Sequence, residues 1–194
     1  MKVVSHTLPV LAGILLASIP AFAQFDRAGA IYTITNASNN ELVVYDRAEF
    51  GALTKHKSYS TGGAGTGNAL GSDNAIQISE DRRWLVTVNA GSNSIAVFYL
   101  GFGEPYLVNV LNSGGSMPVS VALADDNIYV LNGGAPANVA GFHLSWDGQL
   151  NPIPGSTQLL SDAAPMAPQI GYSDDGYVVV TEKATNKIDV FTVN

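Results

Sequence analysis

The sequence predicts an all-β fold: a β-propeller of four-stranded antiparallel blades, about half of a seven-bladed ring, roughly 3.5 blades. Three observations predict it. First, one motif is written four times. It is an alternating apolar run, a short polar turn, and a second apolar run that ends in an aromatic. The copies are IYTITNASNNELVVY (residues 31–45), WLVTVNAGSNSIAVF (84–98), IYVLNGGAPANVAGF (128–142) and VVVTEKATNKIDVF (178–191). Second, the residues that close the first runs, Asn36, Asn89, Asn132 and Glu182, recur at intervals of roughly 40 to 55 residues, the period of a propeller blade. Third, every run alternates and is rich in β-branched and aromatic residues, which fit a pleated, half-buried surface. A β-sandwich also has many short strands, but it has no reason to repeat one motif at this period.

Each motif is a hairpin, strands b and c of a blade, because a turn rich in Asn, Gly, Ser or Ala joins its two runs. Three hairpins are preceded by a short alternating run and an acidic turn: NAIQISEDRRW, PVSVALADDNIY and PQIGYSDDGYV. The run is strand a. Glu80-Asp81, Asp125-Asp126 and Asp174-Asp175 then form a–b turns and not calcium loops, which need further oxygen ligands at fixed offsets. Strand d follows as YLVNVLN from Tyr106 and as QLNPIPGSTQLL from Gln149. The first hairpin lacks a strand a and the last lacks a strand d, so the expected tally is b-c-d, a-b-c-d twice, then a-b-c. At ~45 residues a blade, seven blades need roughly 315 residues, so the chain reads as a partial ring. A closed four-bladed ring is the alternative, with both ends short of a strand. Two open blade edges are expected to pair with another copy.

Residues 1–23 read as a secretory signal peptide: Lys2, an apolar stretch from Leu8 to Ile19, and Ala21-Phe22-Ala23 ahead of a cut before Gln24. The apolar stretch is short for a membrane span. The expected product is a secreted, extracellular propeller domain, residues 24–194, with no membrane segment. Losing Lys2 takes the net charge from −7 to −8, a poor match to a phosphate backbone, so nucleic acid is not an expected partner. There are no cysteines, which excludes disulfides, thiolate metal sites and cysteine nucleophiles. Neither a G-x-S-x-G elbow nor an H-E-x-x-H zinc motif is present. No metal site and no cofactor is expected.

In a blade the b–c turns and d–a crossovers share one end of the ring, and here they are the richer set. The crossovers are STGGAGTGNALGSDN, NSGGSMP and LLSDAAPMAPQ. Loops converging on a rigid scaffold are where ligands gather. Candidate ligand-binding residues are therefore Asn36, Asn89, Asn132, Lys183 and Gln169, with Glu182 as candidate general base. The asparagines could instead cap turns, and Glu182 could simply pair with Lys183. The glycine run from Gly62 to Gly71 does not fit a phosphate loop and reads as a crossover needing unusual backbone angles. Asn36-Ala37-Ser38 is a glycosylation sequon. His143 lies in a strand beside Phe142 and is expected to pack.

TGGAGTGNALGSDNAIQISEDRRWLVTVNAGSNSIAVF, SGGSMPVSVAL and TEKATNKIDVFTV resemble the lactonase-type seven-bladed propellers. That family includes propeller-type bacterial 6-phosphogluconolactonases and fungal 3-carboxymuconate lactonizing enzymes. The resemblance runs over residues 28–193. It implies a cofactor-independent reaction on a lactone or its open carboxylic acid. The fungal cyclases use a His, a Glu and Arg residues at the ring mouth. Glu182 corresponds to the carboxylate by location, while neither His56 nor His143 sits in a matching motif. Arg82 and Arg83 fall in an a–b turn, away from that mouth. The alternative is a non-catalytic propeller that binds a ligand or a protein partner through the same loops.

Overall fold

Alternating β-branched and aromatic residues commit each run to a strand, and the polar turns between runs bring consecutive strands together. In the computed structural model, which describes residues 27–101 and 103–193, this yields four antiparallel sheets in chain order. Blade 1 comprises β1 (Arg27–Ile34), β2 (Glu41–Ala48) and β3 (Leu53–Ser60). Blade 2 comprises β4 (Ile76–Ile78), β5 (Trp84–Asn89), β6 (Ser94–Tyr99) and β7 (Tyr106–Asn112). Blade 3 comprises β8 (Pro118–Ala124), β9 (Asn127–Asn132), β10 (Asn138–Leu144), β11 (Leu150–Pro152) and β12 (Gln158–Leu159). Blade 4 comprises β13 (Gln169–Ser173), β14 (Tyr177–Glu182) and β15 (Lys187–Thr192). The tally b-c-d, a-b-c-d twice and a-b-c is the one the sequence predicts. The expected signal peptide lies outside the described residues.

Three details differ from the sequence reading. The first strand starts at Arg27, not Ile31, and pairs back to Ala48 across an irregularity between Arg27 and Gly29. The outer strand of blade 3 is split: β11 pairs with one end of β10 and β12 with the other. Ile153 N still donates to Gly141 O of β10 at 2.9 Å, but Pro154 carries no backbone N–H, and the chain leaves the ladder there until Gln158. Ser156 closes that bulge, accepting from Gly141 N at 2.9 Å and donating to Ile153 O at 2.7 Å. Finally, His143 is exposed, on the opposite side of β10 from the buried Phe142, so it does not pack.

The core is a series of interfaces between neighbouring sheets. Leu42, Val44, Leu85, Ala96 and Phe98 fill the space between blades 1 and 2. Trp84, Val86, Val88, Ile95 and Val97 turn the other way, onto Val121, Ile128, Val130 and Phe142 of blade 3. Leu131, Val139 and Tyr129 meet Ile170, Val178 and Val180 between blades 3 and 4. Successive residues of a strand point to opposite faces, so a middle blade must be apolar on both. All six residues of β5 are accordingly buried. The end blades have one covered face each. Ile188 and Val190 of β15 are 65% and 58% exposed, and Ile31 of β1 is 42% exposed.

Candidate functional site

The loops at the b–c and d–a end are tied together by one device, used three times. The residue just after a blade's outer strand reaches the last residue of strand b in the next blade. Thr61, after β3, donates its hydroxyl to Asn89 Oδ1 at 2.6 Å. The Ser113 carbonyl, after β7, accepts from Asn132 Nδ2 at 3.0 Å. Ser161, beyond β12, donates to the Glu182 carboxylate, 3.1 Å from each oxygen. Asn89, Asn132, Thr61 and Ser113 are fully buried, and Glu182 is 2% exposed. A buried polar group costs free energy unless it is paired, so these contacts fix where each crossover leaves its blade.

The first latch is the most extensive. Asn40, also buried, donates to Asn89 Oδ1 at 2.9 Å and to Val88 O at 3.0 Å. Thr61 also donates to Asn40 O at 2.9 Å, and its own N–H meets the same carbonyl at 3.0 Å. The equivalent backbone contact in blade 2 joins Ser113 N to Asn93 O. This equivalence sets the register of the first hairpin. Thr35 continues the ladder through its N–H to Glu41 O, and Asn36 is already in the turn with φ 49°. Thr35, and not Asn36, is therefore the blade 1 counterpart of Asn89, Asn132 and Glu182.

Glycines let the crossovers pass over these residues. A Cβ on Gly63 would lie 2.5 Å from Asn89 Cγ, and one on Gly115 would lie 2.6 Å from Asn132 Cγ. Gly65 runs against the backbone of Asn36, and Gly91 against the carbonyl of Gly65. Gly62, Gly67 and Gly71 have positive φ, which is the unusual backbone expected of this run.

The other predicted site residues are placed as follows. Both ends of the Asn36 amide are engaged: Nδ2 donates to Thr66 Oγ1 at 2.8 Å and Oδ1 accepts from Thr66 N at 3.0 Å. Asn36 also lines an open depression of about 660 Å³ with Ile34, Thr35, Asn68 and Leu70. Asn89, Asn132, Glu182, Lys183 and Gln169 do not line it. Gln169 opens β13 opposite Thr181, and Lys183 is exposed in the last b–c turn. The structure thus spreads the candidates over successive blades and does not gather them in one cavity.

Glu182 is an anion held in place. Its carboxyl is kept below the usual carboxylate range first by the Thr185 hydroxyl; burial opposes this and the Ser161 hydroxyl adds to it. Lys187 Nζ reaches Ser161 Oγ at 3.4 Å, and Asp189 accepts from Ser161 N at 2.8 Å. A lowered folded-state pKa adds stability above the unfolded value of ~4.3, and that stability is lost as pH falls through the folded value. Glu182→Gln is therefore expected to melt below the parent at pH 7, and the difference is expected to shrink as pH falls below the unfolded value. A melting difference that stays constant across an acid titration from pH 7 would remove the ionic latch.

Asn40, Thr61, Ser113 and Ser161 were not legible as site residues. The available signal was a hydroxyl residue before two glycines at the end of strand d, Thr61-Gly62-Gly63 and Ser113-Gly114-Gly115.

With the blades and latches in place, comparison with protein families finds a match over residues 20–155 to the family described as lactonase, 7-bladed beta-propeller. The chain belongs to this family. Among solved structures it is similar to a functionally unknown protein from Desulfotomaculum acetoxidans, at 19% identity and a TM-score of 0.65, covering 81% of this chain and 49% of that one. It is similar to a provisionally described 6-phosphogluconolactonase from Bacteroides fragilis, at 18% identity and a TM-score of 0.60, covering 84% and 46%. It is also similar to virginiamycin B lyase from Staphylococcus aureus, at 14% identity and a TM-score of 0.52, covering 85% and 52%. The chain spans about half the length of these structures. Comparison with curated proteins gives no match.

Proposed function

We propose that this lactonase-family propeller is secreted and acts on a lactone or its open carboxylic acid, without a cofactor, at the end of the ring formed by the b–c turns and d–a crossovers. The observation that carries this reading is the family match over residues 20–155. The built loop end supports it: three latches hold the crossovers, one of them through Glu182 itself. In this reading Lys183 attracts the substrate carboxylate and Glu182 supplies the base.

A second reading is a non-catalytic propeller that binds its ligand at the same loops. One observation favours it: both Glu182 oxygens are buried and already accept hydrogen bonds from Ser161. A carboxylate so committed has a weakened basicity and little access to substrate. The same fold also carries other chemistry, since a lyase shares it.

The test is a panel of lactones and their open acids, assayed with protein recovered from the medium and with its Glu182→Gln variant. The enzyme reading expects an N-terminus at Gln24, turnover of a panel member, and a fall of about 10²-fold or more in the variant. Ligand binding with no turnover in either protein would replace it with the second reading.

A further inference from the structure

The opposite end of the ring carries a separate feature that the lactone reading does not use. There the a–b turns of blades 2, 3 and 4 converge on a cavity of about 610 Å³. Ile78, Trp84, Leu123 and Tyr172, near the ends of strands a and b, contribute apolar side chains to its lining. Ile78 and Tyr172 remain 39% and 37% exposed there. Its lining is also acidic: Glu80, Asp81, Asp125, Asp126 and Asp174 all line it. Arg83 already neutralises Asp81, bonding Oδ2 through Nε, and lies in electrostatic reach of Asp126. Asp125 and Asp174 form no ion pair among the described residues. On the same end the c–d turns present Phe50 and Trp146 almost fully exposed.

We infer that this acidic groove, with apolar side chains in its lining, is a docking surface for a basic polypeptide segment whose cationic side chains alternate with apolar ones. Charge complementarity selects the sign of the partner, since five carboxylate residues line the groove and no lysine or arginine does. The exposed parts of Ile78 and Tyr172 favour a segment over a bare ion, because apolar side chains laid on them gain about 25 cal/mol for each Å² buried, and an inorganic cation gains nothing there. The carboxylates are also spread over three blades, and no group of three among the described residues is close enough to hold a metal ion. An anionic membrane would be repelled by the same carboxylates.

The experiment measures binding of a fluorescein-labelled heptapeptide of alternating lysine and leucine to the purified chain by fluorescence anisotropy. A peptide of alternating glutamate and leucine is the control. Asp125→Asn with Asp126→Asn removes two of the groove's charges, and asparagine tolerates the positive φ of 51° that Asp125 adopts. That pair is expected to raise the Kd for the lysine peptide by about tenfold or more. Glu49→Gln with Asp147→Asn makes the same charge change on the c–d turns and is expected to leave the Kd within about twofold. Equal losses in both double variants would mean diffuse attraction and overturn the site. Failure of the lysine peptide to bind the parent, or equal binding of the glutamate peptide, would overturn it as well.

Discussion

Phe98→Ala is expected to lower the free energy of unfolding by about 3–5 kcal/mol, measured by urea denaturation at neutral pH. Phe98 is fully buried in β6, opposite Leu85 on one side and Leu107 on the other. It packs with Leu42 and Val44 of blade 1, and Tyr32 and Tyr59 close over the cluster. Both walls are hydrogen-bonded sheets, which cannot move inward to fill the space that the ring leaves. The cost is therefore the lost transfer energy together with most of the cavity term. A loss below about 1 kcal/mol would mean that blades 1 and 2 are not closely packed.

Gly65→Ala is expected to detach the first crossover at a cost of about 2–3 kcal/mol. The added Cβ would stand 2.2 Å from the carbonyl carbon of Asn36, a backbone atom that no rotamer change can move. Relief requires the loop to lift. That breaks Gly65 N to Ala37 O at 2.7 Å, Gly67 N to Asn36 O at 2.8 Å and Gly91 N to Ala64 O at 2.9 Å. Asn36, Ala37 and Gly67, which make two of those bonds, line the depression beside Asn36, so affinity for any ligand seated there should fall with stability. Amide exchange at Gly65, Gly67 and Gly91 reads the outcome. Unchanged protection of all three would show that the crossover does not depend on this contact.

The two substitutions probe different kinds of information. Phe98 was predictable as a buried strand residue, because an aromatic ends each second run of the repeat. Gly65 was predictable only as a loop glycine with unusual backbone freedom. The structure gives a different reason for it: close approach of two backbones from successive blades. The site residues divide in the same way. Asn89, Asn132 and Glu182 were visible through their repeat, while their partners Thr61, Ser113 and Ser161 lie 28, 19 and 21 residues away. No local pattern pairs residues at such varied separations.

What the sequence determined by itself is the order and type of the strands and the grouping into blades, down to the three-stranded first and last sheets among the described residues; the split of the outer strand of blade 3 was not part of it. Strand alternation and turn chemistry are local, so four copies of one hairpin state them four times. The tertiary structure alone decided the register of the first hairpin, with Thr35 at the strand end and Asn36 in the turn. It also decided that the strand-end polar residues are buried, and that an acidic cavity lies at the far mouth. Each of these depends on what the neighbouring blade presents. A residue carries the same local signals whether the crossover beside it covers it or leaves it open to water.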